Sequence, residues 1–149
     1  MVVVGNVYSL IARRPLYESN TTIVLASESK DSATYTQNDL QLNQKLVSTY
    51  SQIIKSRKVM QKVIDTERLN YTVSQLSENV TVTSVQDTEL IKISVNDRNS
   101  ATAMKIANDI VPVFSEEVKR IYKIDNVSVV DEAVEASKPY NINLSLIHI

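Results

Sequence analysis

The sequence predicts an α+β domain with a split β-α-β-β-α-β order, in which a four-stranded antiparallel sheet carries two long helices on one face. Three observations predict it. A strand-like segment precedes a long helical pattern over residues 36–67. A pair of alternating segments follows. A second helical pattern, from about 98 to 123, then leads into a last strand-like segment over residues 127–134. This order places the first and third strands in the centre and the second and fourth at the edges.

The first strand is predicted in the run YESNTTIVL, where the odd-numbered residues from Tyr17 to Leu25 share one side. Threonine and β-branched residues favour an extended chain there. The apolar stretch before it, Val2 to Ala12, is broken by polar residues. A spanning helix needs about 20 apolar residues, so this stretch cannot span a membrane by itself. We interpret residues 1–14 as the remnant of an N-terminal membrane helix or as an ordered arm or buried strand.

The first long helix is predicted over residues 36–67, which contain no glycine and no proline. Its apolar residues return at helical spacing, and Thr34 with Gln37 fits a capping box at its start. Such a helix would be about 45 Å long. The pattern leaves two alternatives, a helix that projects or pairs with another chain, and a core helix bent over the sheet. A basic cluster on it is interpreted as a solvated face, with contact to an acidic glycan as the alternative: Lys55, Arg57, Lys58 and Lys62.

The middle of the chain predicts a short helix and a hairpin. Thr72 and Gln75 form a second capping box. Residues 80–85 and 90–95 alternate as two strands, and their connection lacks glycine, which favours an open or type I turn over a tight primed one.

The second long helix is predicted from about Arg98 to Lys123, with Asp97 as its N-cap. Pro112 lies inside it, and we expect a kink or a break there. The predicted buried stripe of this helix consists of Ala103, Ala107, Ile110, Phe114, Val118 and Ile121. After the last strand, an extended exit contains Pro139.

Composition excludes most catalytic and metal chemistry. The 149 residues include no cysteine, one histidine (His148) and one glycine (Gly5), so the chain has no thiolate site, no histidine triad, no phosphate-binding glycine loop and no dinucleotide turn. The net charge of -1 gives no basic surplus for nucleic acid. Catalysis by a pair of carboxylates remains possible, but nothing in the sequence indicates that two carboxylates lie close together. We therefore expect no enzyme activity, no cofactor and no metal.

Three runs resemble the chain-length determinant (Wzz-like) or polysaccharide co-polymerase family, in its Gram-positive capsular type. They are PLYESNTTIVL, the hairpin VTVTSVQDTELIKISVNDR and the helix NSATAMKIANDIVPVFSEEV. The resemblance covers about Pro15 to Pro139. Arg98 stands where the family usually has a proline, which is a mild departure because proline at the first helical turn is preferred and not required. The positions that match the family motif, all given a structural role, are Tyr17, Asp97, Ala101, Ile106, Ala107, Asn108 and Pro139.

The resemblance implies a non-catalytic scaffold that regulates the chain length and export of capsular polysaccharide or exopolysaccharide with a membrane polymerase. It implies a homo-oligomer in the cell membrane, contact with the growing polysaccharide, and modulation of a cytoplasmic tyrosine kinase by the full-length protein. The domain would lie outside the cytoplasmic membrane, between two membrane helices. The alternative is a soluble ferredoxin-like regulatory module that binds a small ligand.

The predicted domain organisation follows the same resemblance. Residues 15–138 form the chain-length determinant domain, and residues 139–149 lead toward a second membrane helix. The final run LSLIHI, residues 144–149, departs from the family pattern and resembles translated sequencing-adapter DNA. We interpret it as non-native, a hypothesis that sequencing of the source DNA tests.

Overall fold

The computed structural model describes residues 16–25, 47–85, 88–123, 125–137 and 139. The predictions for residues 1–14, for the Thr34–Gln37 capping box, for the first part of the long helix, for the hairpin turn at 86–87 and for residues 140–149 lie outside these ranges. The described elements are β1 (Tyr17–Leu25), α1 (residues 47–54), α2 (Arg57–Glu67), α3 (Val73–Asn79), β2 (Val80–Ser84), β3 (Leu90–Asp97), α4 (Ser100–Tyr122) and β4 (Val127–Asp131).

The strands form one antiparallel sheet in the order β2-β3-β1-β4. The predicted α+β class, the antiparallel sheet and the central position of β1 and β3 are confirmed. In the central pair, Tyr17 lies opposite Asp97 and Ile23 opposite Ile91. The β1–β4 pairing is interrupted by an irregularity between Thr22 and Ile23.

The core lies between the helices and one face of the sheet, to which β1 and β3 contribute odd-numbered residues and β2 contributes Val80 and Val82. Ile23, Ile91, Ile93 and Val95 are almost fully buried in the same cluster as the apolar faces of α2 and α4. Phe114 of α4 is the largest fully buried side chain, and burial of such a side chain contributes about 1.5–3 kcal/mol. The period-2 alternation that predicted the strands is therefore the alternation between the core and the other face of the sheet.

The predicted continuous first helix is wrong at residues 55–56, where a turn separates α1 from α2. Ser56 has an extended backbone, and its hydroxyl accepts a hydrogen bond from the Val59 N–H at 3.4 Å, so it caps a new helix. Burial continues across the break, from Ile54 to Val59 and Met60. The helix ends as predicted, because Arg68 adopts the left-handed conformation after Glu67.

In the second long helix the structure decides against a break at Pro112, a kink there stays a prediction, and one predicted buried residue is exposed. α4 runs through Pro112 without a break, because proline removes only one backbone bond while buried Ile110, Val111 and Phe114 hold both sides of it in the core. Ile121, predicted to be buried, is 45% exposed in the last turn of α4. In the part of the chain that the structure describes, no helix is both long and apolar enough to cross a membrane.

Candidate functional site

The chain enters and leaves the domain at the same end of the sheet. β1 begins at Tyr17, which lies opposite the last residue of β3, Asp97. β4 is antiparallel to β1 and runs back toward that start. The Ser19 hydroxyl donates a hydrogen bond to the Val134 carbonyl at 2.6 Å, which brings the departing chain beside the first residues of β1. We call this region, residues 16–19, 97–100 and 134–135, the entry-exit end.

Buried polar side chains of β1 hold the departing chain after the backbone pairing of β4 stops. The Thr21 hydroxyl donates a hydrogen bond to the Asp131 carbonyl at 2.8 Å. Ser19, two residues earlier on β1, makes the corresponding contact with Val134. Ser19 and Thr21 both lie on the buried face of the sheet. Because an unpaired buried hydroxyl costs stability, their pairing with the exit backbone is what allows polar residues at these two core positions.

Asn108 on α4 completes this attachment from the helix side. Its Nδ2 donates to the Ala133 carbonyl at 3.0 Å, and its Oδ1 accepts from the Ala133 N–H at 2.8 Å. The side-chain amide thus pairs with both backbone groups of one residue, as a neighbouring strand would. Ser100 adds a hydrogen bond from its hydroxyl to Glu135 Oε1 at 2.7 Å. The exit segment (residues 131–135) is therefore fixed to both β1 and α4.

A polar pocket opens at the entry-exit end beside Asp97. The Asp97 side chain is only 3% exposed, and its two oxygens are paired separately. Oδ2 accepts the Tyr71 hydroxyl at 2.6 Å, and Oδ1 accepts the Asn99 N–H at 2.9 Å. Burial, and then the contact with this carboxylate, raises the pKa of Tyr71 to about 12, so the phenol keeps its proton at physiological pH. The polar pocket has a volume of about 390 Å³ and is lined by Leu16, Asn70, Tyr71, Gln75, Glu78, Asn79, Asp97 and Arg98.

The prediction that Asp97 caps the second helix is wrong. The N-cap is Asn99, whose side-chain Oδ1 accepts the Thr102 N–H at 3.1 Å, and the helix begins at Ser100. Asp97 is instead the last residue of β3, on its buried side, and its carboxylate holds the turn that leads to the cap. Because of this turn, the helix begins at Ser100 and not at about Arg98, where the sequence pattern predicted its start.

Exposed valines mark the β4 edge of the domain. Val129 is 46% exposed, Val130 49% and Val134 73%. A groove of about 410 Å³ runs between this edge and α4 and is lined by Thr21, Asn108, Val111, Pro112, Ser115, Val127, Val129 and Glu132. We call the three valines the β4-edge patch.

A second exposed apolar patch lies on the opposite side of α4, where Ile121 and Tyr122 border a groove with Ile53. Beneath it, nearly buried Glu117 forms ion pairs with Arg120 and with Lys58 of α2, the latter at 3.5 Å. The hydrogen bond from Arg120, with help from Lys58, holds the Glu117 pKa below its usual range. We call Ile53, Ile121 and Tyr122 the helix-end patch.

Two carboxyl groups meet where α2 packs on α4. Asp109 lies beside Glu67, and Asp109 Oδ2 is buried without a hydrogen-bond donor. Burial, then the hydrogen bond and charge of Glu67, raises the Asp109 pKa to about 7, while Lys105 opposes the shift. Asp109 therefore keeps its proton to a higher pH than an exposed aspartate does.

The family-motif residues fall into three groups. Tyr17 and Asp97 face each other at the entry-exit end, and half-buried Ala101 lies in the first turn of α4. Ile106 and Ala107 are fully buried in the core, and Asn108 binds the exit segment. Pro139 is half-buried at the far end of the described chain. These placements are compatible with the structural roles that the sequence assigned to these residues.

Sequence reasoning missed Tyr71, Ser19, Thr21 and the Glu67–Asp109 pair. A signal for two of them was present, because Ser19 and Thr21 are polar residues on the predicted core side of β1, where each needs a partner. No local pattern links Tyr71 to Asp97 or Glu67 to Asp109, since tertiary packing alone brings them together.

Comparison with known proteins gives a consistent result. Residues 1–67 match the family model described as chain length determinant protein. The chain is 39% identical over 136 residues to the "Probable capsular polysaccharide biosynthesis protein YwqC" of Bacillus subtilis, covering 91% of this chain and 54% of that protein. It is 32% identical to the "Capsular polysaccharide biosynthesis protein CpsC" of Streptococcus agalactiae, covering 94% and 61%. It is 36% identical to the "Capsular polysaccharide biosynthesis protein CapA" of Staphylococcus aureus, covering 82% and 55%. The chain thus spans little more than half the length of these relatives.

Proposed function

The chain belongs to the chain length determinant (Wzz) family, in its Gram-positive capsular type, and from this premise we propose that it is the scaffold domain of a polysaccharide co-polymerase. In this role the domain catalyses no reaction. It regulates the chain length and export of capsular polysaccharide or exopolysaccharide by assembling around a membrane polymerase. The printed names of the relatives concern capsular polysaccharide biosynthesis, which favours this role over a small-ligand regulatory module.

The observation that carries the proposal is the convergence of entry and exit. Tyr17 and Val134 lie at one end of the sheet, joined through the Ser19 hydrogen bond. A domain held in a membrane by segments before and after it requires this geometry, because both connections must reach the same surface. We therefore propose that the full-length protein is anchored on both sides and that this domain stands on the outer face of the cell membrane.

The two exposed apolar patches support assembly into a homo-oligomer. The β4-edge patch and the helix-end patch lie on opposite sides of α4 and have different compositions. A contact between two different patches is heterologous, and heterologous contacts repeat from copy to copy until a ring closes. We expect the membrane segments to supply much of the association, and we expect the isolated domain to associate weakly.

The test replaces one valine of the β4-edge patch in the full-length protein. Val130→Lys places a charge in the proposed contact, whereas Thr83→Lys places the same charge on exposed β2, the other edge of the sheet. In a deletion strain complemented with each variant, we expect V130K to alter the polysaccharide length distribution on gels and T83K to leave it unchanged. Crosslinking in membranes should show loss of the oligomer for V130K only.

One result would contradict the scaffold role, and another would contradict the expected weak association of the isolated domain. Unchanged polymer length and oligomer in both V130K and an Ile121→Lys variant would remove both patches from the assembly. A tight oligomer of the 149-residue chain at micromolar concentration, measured by light scattering, would show that the membrane segments are not needed for association.

We also propose that the full-length protein modulates a cytoplasmic tyrosine kinase through sequence beyond Pro139. Support for this comes from the family resemblance, and the rigid attachment of the exit segment offers a route from the domain to that sequence. Kinase phosphorylation in the complemented deletion strain should fall when the region after the second membrane segment is removed. Unchanged phosphorylation would reject this part of the proposal and leave the scaffold role intact.

A further inference from the structure

The polar pocket at the entry-exit end is built from rigid parts of the fold. Its floor is Asp97, whose two oxygens are fixed by Tyr71 and by the Asn99 N–H. One wall is the start of α3, where the Thr72–Gln75 capping box holds both backbone and side chains in place. The opposite wall is Arg98, in the turn between β3 and α4. Such a pre-formed cavity of about 390 Å³ falls within the size range of small-molecule sites.

The chemistry of the lining is that of a site for a hydroxyl-rich ligand. A sugar hydroxyl both donates and accepts hydrogen bonds, so a saccharide site needs donors and acceptors close together. Here the carboxylates of Asp97 and Glu78 accept, the Arg98 guanidinium donates, and the amides of Asn70 and Asn79 do both. The Tyr71 hydroxyl donates its hydrogen bond to Asp97, and its oxygen lone pairs can still accept hydrogen bonds.

The charges of the polar pocket limit the ligand further. Two carboxylates and one guanidinium line it, so the pocket carries a net negative charge. An anionic sugar such as a uronic acid would place its carboxylate near Asp97, which is almost fully buried and has no room to move away. The ligand that fits this balance is an uncharged sugar.

We propose that the polar pocket binds one uncharged saccharide unit of the glycan whose length the protein regulates. This inference rests on the proposed function, because the glycan partner comes from it. The pocket lies at the entry-exit end, so a bound unit would be held next to the chain segments that join the domain to its anchors. The domain would then contact the polymer where it is closest to the membrane.

The test is a titration of the ¹⁵N-labelled 149-residue chain with N-acetylglucosamine, glucose and glucuronic acid, followed by NMR. We expect millimolar binding of one or both uncharged sugars, with shifted amides confined to residues 70–79 and 97–99. Arg98→Ala and Glu78→Gln remove exposed rim groups and should weaken binding about tenfold. Arg57→Ala, which removes an exposed cation remote from the pocket, should bind as the parent does.

Several outcomes would overturn the inference. Absence of shifts with both uncharged sugars, shifts outside these two ranges, or equal weakening by R57A would each do so. Glucuronic acid binding as tightly as the uncharged sugars would overturn the charge argument. The titration does not depend on polymer length, so a failure here combined with an altered polymer in V130K would reject the pocket and keep the scaffold role. Saccharide binding together with normal polymer length in V130K and I121K would reject the scaffold role and keep the pocket as a saccharide site.

Discussion

The two edge strands of the sheet are attached in different ways. β2 follows α3 directly, begins with buried Val80, and pairs with β3 along its full length through a hairpin. β4 pairs with β1 only until Asp131, has an irregular register, and exposes its valines. The chain after β4 is held by side chains of β1 and α4 that are distant in sequence.

This difference shows that the two edges of one sheet can be held by different kinds of contact. The β2 edge is stabilised by local structure and presents exposed polar residues such as Thr81 and Thr83. The β4 edge depends on hydrogen bonds between residues distant in sequence, and it presents exposed apolar residues. The difference predicts that β4 and its exit segment open more easily than β2, and four measurements test this prediction.

The largest expected effect is on the β4 side. Asn108→Ala leaves the Ala133 N–H and carbonyl without partners next to the core, so we expect a loss of about 1–3 kcal/mol in unfolding free energy by urea denaturation. Amide exchange should accelerate at Ala133 and leave Thr81, whose N–H faces β3, unchanged. Asn108→Asp keeps the acceptor for the N–H and should recover part of the loss. Equal acceleration at both amides would show that the two edges open together.

The second measurement is the pH dependence of stability on the α2 side of α4. The folded state holds the Asp109 proton more tightly than the unfolded state does, since the pKa rises from 3.8 to about 7. Its contribution is full below pH 3.8 and is lost as pH rises toward 7. Relative to Asp109→Asn, the parent should lose on the order of 1 kcal/mol between pH 5 and 8, after allowance for solvent screening.

Urea denaturation at both pH values measures this difference, and exchange at Ala133 should not follow it. Glu67→Gln is the matched control, because it should lower the Asp109 pKa and flatten the same pH dependence. A parent and D109N chain with parallel pH profiles would contradict the raised pKa of Asp109.

The third measurement addresses the β2 side. Thr72→Ala removes the hydroxyl that caps α3, and we expect a loss of about 1 kcal/mol in unfolding free energy. Exchange should accelerate within α3 and at the start of β2, with Ala133 unaffected. Thr72→Ser, which keeps the capping oxygen, should behave nearly as the parent. A faster exchange at Ala133 in T72A would mean that the edges are not independent.

The smallest effect is expected for Thr21→Val, which removes the hydrogen bond to the Asp131 carbonyl and keeps the shape of the buried side chain. Asp131 is exposed, so water can replace the lost donor, and we expect a loss of about 0.5 kcal/mol. Thr83→Val on exposed β2 is the control. A loss in T21V as large as in N108A would show that the β1 contact is the main anchor of the exit segment.

Sequence patterns predicted the elements that local periodicity determines. The alternation in β1 and β3 predicted their buried faces, and the Thr72–Gln75 spacing predicted a capping box that the structure confirms. The patterns gave wrong helix boundaries where the local sequence allows two alternatives. Asp97 and Asn99 are both good caps, and only the burial of Asp97 in β3 decides between them. Ser56 is a weak signal within a helical run, and the packing of Val59 and Met60 decides that it starts a new helix.

The candidate site was less predictable than the fold. Asn108 and Asp97 were identified through resemblance, but their partners, Ala133 and Tyr71, are 25 and 26 residues away in sequence. Pairing at such a distance depends on how β4 and α3 are placed by the completed fold, and no spacing rule encodes it.

Convergence of entry and exit also determines how the domain would respond to mechanical force. If the two connections are pulled apart sideways, the load falls on adjacent antiparallel strands from one end, so their bonds break one after another instead of sharing the load. The Ser100–Glu135 and Ser19–Val134 bonds meet the load first, followed by the contacts of Ala133 and Asp131. The exit segment would then yield before the core does, and lateral movement of the proposed anchors would reach Asn108 and α4 through it.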